Sequence, residues 1–303
     1  MTDFKGVFPI LITPFDDTGE VDLISFDRII RFMSKIGVNG VTILGVLGES
    51  NRMTDVERES LIKTAIDAAE GQIPIIVGTS HSGTQATIQL SQMAEALGAK
   101  GVMVTPSREP VPNEQRIFEY IQQIGNAIGI PIVLQDHPAS TQVHMSTPLI
   151  LRMISEIPQI ACIKEEATPT PPKITALRNG MDRPIPILTG LGALYGRFDL
   201  ERGTDGFMTG FAFPEILIAM VNAAHEERWQ DLQNIYAENL PLLVYEQQPG
   251  VAVRKEIFRL RGLIQSSHVR HPGANIDQGT TKQLQHVLET SLPNTDITRP
   301  LEI

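Results

Sequence analysis

Cysteine is all but missing from this 303-residue chain. Cys162 stands alone, so no internal disulfide can form and nothing in the sequence demands an oxidising compartment. Long apolar runs are missing as well. No stretch approaches the roughly 20 residues of a membrane-spanning helix, and the opening Met1-Thr2-Asp3-Phe4-Lys5-Gly6 lacks the basic region and apolar run of a secretion signal. The expectation is a cytoplasmic protein with no membrane partner. Positive charge is in deficit: 25 Lys and Arg stand against 35 Asp and Glu, a formal net charge of -10. A nucleic-acid partner would need a basic face, so none is expected, and an anionic ligand must be held by a few local positive groups. The sequence also has no Asp/His/Cys cluster at metal-ligand spacing and no nucleophile elbow around a serine. No metal or other cofactor is expected.

What is present is a regular alternation. Hydrophobic residues make up 42% of the chain, enough for a sizeable core. Short β-rich runs recur at Val7 to Ile12, Val41 to Leu44, Ile75 to Gly78, Val102 to Thr105, Ile130 to Leu134, Ile160 to Ile163, Ile185 to Leu188 and Gly206 to Met208. Between them, stretches such as Asp22 to Ile36, Thr54 to Glu70, Thr84 to Leu97 and Asn113 to Ala127 repeat apolar residues every three or four positions. Thr54 and Glu57 stand at capping-box spacing. Eight strand–helix units at roughly 30 residues each predict parallel pairing and a closed (β/α)8 TIM barrel rather than an open sheet. The turn after the first strand, Thr13-Pro14-Phe15, lacks the glycine-rich cradle of a dinucleotide fold. The expected division is a barrel over residues 1–227 and a helical extension over 228–303, including Trp229 to Leu243 and Val251 to Leu263. Thr168 to Lys173, with three prolines, predicts a stiff loop.

In such a barrel the catalytic groups come from the loops that follow the strands. The sixth strand runs Ile160-Ala161-Cys162-Ile163 into Lys164-Glu165-Glu166. A lysine held where a buried strand surfaces loses part of its solvation, which favours the free amine that can attack a carbonyl. The alternative is a lysine reaching back to water and paired with Glu165 or Glu166. The second strand delivers Gly45-Val46-Leu47-Gly48-Glu49-Ser50, either a nest of amides for a carboxylate or a tight turn that caps the next helix. The third and fourth strand ends offer His81 and Arg108, the latter within Thr105 to Pro110. Gln135-Asp136-His137 follow the fifth strand, with Gln135 and His137 pointing one way and Asp136 the other. Thr189-Gly190 and Thr209-Gly210 close the seventh and eighth.

The ordered set Gly45-Val46-Leu47-Gly48-Glu49-Ser50, Val104-Thr105-Pro106, Ile163-Lys164-Glu165 and Thr189-Gly190 resembles the dihydrodipicolinate synthase and N-acetylneuraminate lyase family along nearly the whole chain. The resemblance implies a Schiff base between Lys164 and a 2-oxo acid, and a homotetramer. The chain departs from the family's usual pattern in having apolar Val46 and Leu47 where hydroxyl residues stand, Gln135 where a tyrosine relays protons, Ser107 and Arg108 where another tyrosine stands, and no arginine near Ser140. The Gln135-Asp136-X-Pro138-Ala139-Ser140 run, Met208-Thr209-Gly210 with Phe213-Pro214, and Arg270-His271-Pro272 are similar to the branch containing 2-keto-3-deoxyarabonate dehydratase, although that branch has a serine where Gly48 stands.

The reading that follows is a lysine-imine lyase that removes water from a 2-keto-3-deoxy sugar acid. Lys164 is its nucleophile, and Gln135, an amide, offers only hydrogen bonds. Glu49 is a candidate proton relay. Val46, Leu47, Gly48, Thr189, Gly190 and Thr209 are the candidate substrate contacts, with the Leu47 and Gly48 amides on the carboxylate. The alternatives are a pyruvate-dependent aldolase and a barrel that binds a 2-oxo acid without turning it over.

Overall fold

The Val- and Ile-rich runs form strands because branched side chains fit a pleated surface covered on both faces. The computed structural model describes residues 2–109, 113–248 and 250–303; Met1 and Pro110 of the stretches singled out above lie outside them. The strands are β1 (Gly6–Val7), β2 (Val41–Ile43), β3 (Ile75–Gly78), β4 (Gly101–Val104), β5 (Ile132–Asp136), β6 (Ile160–Glu165), β7 (Ile187–Thr189) and β8 (Gly206–Phe207). They pair in parallel in the order β1-β8-β7-β6-β5-β4-β3-β2. A parallel bridge between Ile10 and Thr42 joins the two ends, so the sheet closes on itself.

Helices α1 (Leu23–Lys35), α2 (Asp55–Ala69), α3 (Thr84–Ala96), α4 (Glu114–Ala127), α5 (Pro138–Thr141), α6 (Thr147–Glu156), α7 (Thr170–Gly180), α8 (Gly196–Glu201) and α9 (Pro214–His225) accompany the strands. Three more, α10 (Trp229–Tyr245), α11 (Val251–Leu260) and α12 (Gln278–Ser291), follow the ring, and α10 packs on α8, α9 and α12. The expected (β/α)8 barrel with C-terminal helices is the observed fold. Among the described residues no helix is long and apolar enough to cross a membrane.

Three local expectations are corrected. The first strand stops at Val7 rather than Ile12: Pro9 has no N–H to donate toward β2, although its carbonyl accepts from the Thr42 N–H and the Ile10 N–H still donates to the Thr209 carbonyl. Strands β5 and β6 each run two residues further than expected, which brings Gln135 and Lys164 into direct register inside the paired sheet. The stretch around Thr168 to Lys173 is not all loop: Thr170 to Lys173 form the first turn of α7. Pro171 and Pro172 fit there because the N–H groups of a first turn have no intrahelical acceptor. The Thr54–Glu57 capping box forms as expected.

Alternation along each strand divides the core in two. Phe4, Phe8, Ile10, Ile76, Met103, Val133, Cys162, Leu188 and Met208 fill the interior of the ring. The larger outer cluster, including Val102, Leu134, Ile163 and Ile187, lies between the ring and its helices. Closure between β1 and β8 depends on Gly206, whose φ is +144° and where an added Cβ would lie 1.9 Å from the Gly6 carbonyl oxygen. Gly206→Ala is expected to lower unfolding free energy by more than about 3 kcal/mol, because backbone must move to admit it. Gly203→Ala, also at positive φ but with nothing within 4 Å, should cost only about 1 kcal/mol. Urea unfolding of both variants checks the contrast.

Candidate active site

Cys162 faces the ring interior, and Lys164, two residues on, faces the same way. Its side chain is therefore enclosed: Lys164 is 4% exposed, and it does not reach back to water. Nζ lies 2.9 Å from Glu166 Oε2. The same oxygen accepts from Gln135 Nε2 at 2.7 Å, while Glu166 Oε1 accepts from the Leu191 N–H at 3.0 Å. His137 Nδ1 stands 3.8 Å from Glu166 Oε2. Gly190 makes room for this carboxylate, since a Cβ there would lie 2.0 Å from Glu166 Oε1. Burial alone would raise the Glu166 carboxyl, but Lys164, His137, the Gln135 amide and the Leu191 N–H together hold it below the ordinary value. Burial pushes the His137 imidazole down, against the pull of Glu166. The result is an ionised carboxylate at the amine, oriented by neutral donors. Burial also pushes the Cys162 thiol well up, which disarms it as a nucleophile.

Glu166, named in the sequence only as a charge partner, is the carboxylate that the structure sets against Lys164. The signal was available in the period of two, because whatever Lys164 faces, Glu166 faces as well. Its neighbour Glu165 points the opposite way, behind the sheet. There Glu165 and Asp136 are both buried and share Lys173, whose Nζ pairs with Asp136 Oδ2 and stands 3.9 Å from Glu165 Oε2. Burial and the adjacent Asp136 charge raise the Glu165 carboxyl to about 8, while burial also raises Asp136.

Glu49 is buried, but its carboxylate is held by Lys255 Nζ, by Arg52 Nη1 at 2.6 Å and by the Arg270 N–H at 3.1 Å. Glu49 therefore ties the second-strand loop to the end of the chain, and the carboxylate beside Lys164 is Glu166. Leu47 packs on the ring interior, whereas Val46 is exposed. The amide of Gly48 donates to the Gly45 carbonyl, and that of Glu49 to Val46, so half of the expected nest is spent within its own turn. The Thr189 hydroxyl donates to Asp199 Oδ2 at 2.5 Å, and the Thr209 hydroxyl accepts from the Gly192 N–H at 2.7 Å. Both threonines thus shape the strand-end loops. Gly190 supports Glu166 rather than presenting itself. His81 Nδ1 accepts from the Gly83 N–H, and Arg108 pairs with Gln142 on the surface.

The dihydrodipicolinate synthetase family model matches residues 3–291 of the chain. Over 286 residues the chain is 37% identical to L-2-keto-3-deoxyarabonate dehydratase of Azospirillum brasilense, covering 92% of each protein. It is 31% identical over 291 residues to 4-hydroxy-tetrahydrodipicolinate synthase of Persephonella marina, covering 94% of this chain and 98% of that one. Among solved structures, dihydrodipicolinate synthase from Rhodopseudomonas palustris superposes with a TM-score of 0.90 at 35% identity, covering 94% of this chain and 97% of that one. The resemblance read from the strand-end motifs holds across the barrel.

The cluster behind the sheet makes stability depend on pH. Glu165 is raised from 4.5 to about 8 in the fold, so its stabilising contribution is complete below about 4.5 and is lost as pH rises through about 8. Glu165→Gln stays neutral throughout and keeps an acceptor for the Ala167 N–H. Its urea midpoint is expected to match that of the unsubstituted chain near the low end of this window and to exceed it at the high end. A variant midpoint no higher under alkaline conditions would contradict the assignment.

Proposed function

This chain belongs to the dihydrodipicolinate synthetase family, and we propose that it is a lyase that removes water from a 2-keto-3-deoxy sugar acid through an imine on Lys164. The observation that carries this reading is the enclosed Lys164 Nζ set 2.9 Å from Glu166 Oε2, with Gln135 on the same oxygen. An amine attacks a carbonyl only when unprotonated, and Glu166 is placed to accept its proton. Addition to the 2-oxo group, with Glu166 returning that proton to the oxygen as it leaves as water, yields an iminium, whose positive nitrogen acidifies C3. Glu166 then removes a C3 proton as general base and, once protonated, delivers it to the C4 hydroxyl as that group leaves as water. Hydrolysis of the imine frees Lys164. Gln135 has no proton to exchange at neutral pH and orients the carboxylate. The dehydratase name of the Azospirillum brasilense relative supports elimination of water over cleavage of the C3–C4 bond.

We place the protein in the cytoplasm as a homo-oligomer, a tetramer by resemblance, with a catalytic barrel over 1–227 and a helical extension over 228–303. Exposed Tyr195, Phe198 and Trp229 supply apolar surface suited to self-association.

Borohydride reduction in the presence of pyruvate is expected to leave an adduct on Lys164 by peptide mass mapping. Racemic 2-keto-3-deoxypentonate should yield a semialdehyde; pyruvate and glycolaldehyde would instead assign aldol cleavage. Lys164→Ala should abolish turnover with the fold intact, and Glu166→Gln should lower it by about 10²- to 10⁴-fold. Absence of an adduct across several 2-oxo acids would favour a barrel that only binds its ligand.

A further inference from the structure

We propose that Arg254 binds the carboxylate of the 2-oxo acid, in the place where the second-strand loop lacks hydroxyl side chains; the proposal rests on the lysine-imine reading. In a chain of net charge -10 a local cation favours the entry of an acid. The loop 45–50 supplies no charge and few donors toward this. Val46 and Leu47 are apolar, and the Gly48 and Glu49 amides are used within the turn, which leaves the Leu47 N–H.

Other cations near the ring are already committed: Arg58 donates to the Ser50 carbonyl and stands 3.7 Å from Asp55 Oδ1. Lys164 is the nucleophile. Lys173 lies behind the sheet with Asp136 and Glu165. Lys255 is held by Glu49 and the His268 carbonyl. Arg261 spends its nitrogens on Glu215 and the carbonyls of Ala212 and Ile297. Arg254, on α11 and 4% exposed, has only Nε engaged among the described residues, donating to Glu246 Oε2 at 2.8 Å. Its Nη1 and Nη2 have no such partner, and these are the pair that matches a carboxylate fork.

Their position fits the ligand. Leu47 packs against the interior cluster that contains Cys162 and Leu188, and these flank Lys164 along β6 and across from it on β7. An added Cβ at Gly210 would lie 2.1 Å from Leu47 Cδ1 and 3.3 Å from Arg254 Cζ. The guanidinium therefore lies beside Leu47, the side chain that packs on the interior cluster along which Lys164 stands, and glycine at 210 leaves room for both. Glu246 fixes this orientation from behind, because its carboxylate also accepts from the Ala212 N–H at 3.1 Å. In a 2-oxo acid the carboxylate is bonded to the carbon that Lys164 attacks, so one cation in this chamber serves every substrate of the class.

The test compares pyruvate with methyl pyruvate, which keeps the carbonyl and lacks the charge. In Arg254→Met the half-saturating pyruvate concentration for borohydride trapping on Lys164 is expected to rise about 10- to 100-fold, the loss of a charge-assisted pair. That for methyl pyruvate should stay unchanged, and Arg254→Lys should fall between. The double variant Arg254→Met/Glu246→Gln, which removes both buried charges, gives the same readout if the single one folds poorly. Unchanged pyruvate trapping, or an equal rise for both esterified and free acid, would overturn the proposal in favour of a structural ion pair. If the unsubstituted protein traps neither compound, the imine reading fails; pyruvate binding followed by ligand-observed NMR in the same variants then decides Arg254 separately.

Discussion

A lysine and a carboxylate buried 2.9 Å apart inside a ring of parallel strands form the interaction on which the rest of the site depends. Taking either charge out of water alone costs several kcal/mol, so each requires the other. The pair persists because β6 fixes both partners on one face, two residues apart. Gln135, in register with Lys164 on β5, and the Leu191 N–H beyond β7 satisfy the remaining lone pairs. An amine so held cannot swing to solvent, and its proton acceptor is already in place.

The same two strands carry a second charged group on their other face. Gln135, Lys164 and Glu166 point inward, while Asp136 and Glu165 point back toward Lys173 on α7. The two sets are separated by one thickness of sheet. Lys164 and its neighbours outweigh burial and hold the Glu166 carboxyl down, whereas burial behind the sheet, with the Asp136 charge added for Glu165, pushes both outer carboxyls up. Neighbouring glutamates in sequence thus acquire opposite tendencies from geometry alone.

Much of this was legible in the sequence because barrels repeat a simple rule. The eight runs, their parallel pairing, the capping box at Thr54 and the enclosed Lys164 all follow from period and position. What escaped the reading depended on contacts between residues distant in the chain. Glu49, a candidate relay by its position in the sequence, is held by Lys255 and the Arg270 N–H, which no local pattern announces. Arg254 lies inside an ordinary amphipathic helix, and only Gly210 and Leu47, brought beside it by closure of the ring, give it a role. The first turn of α7 was hidden for a different reason, because prolines suit both a stiff loop and a helix start.

The bond between Glu49 and the far end of the chain bears on how the molecule comes into being. Synthesis delivers all eight strands by Phe207, yet the partners that hold the second-strand loop, Lys255 and the Arg270 N–H, leave the ribosome only afterwards. The residues of the ring are therefore all available to a nascent chain before those that hold its second-strand loop, and the cation proposed to grip an acid is among the last to be made.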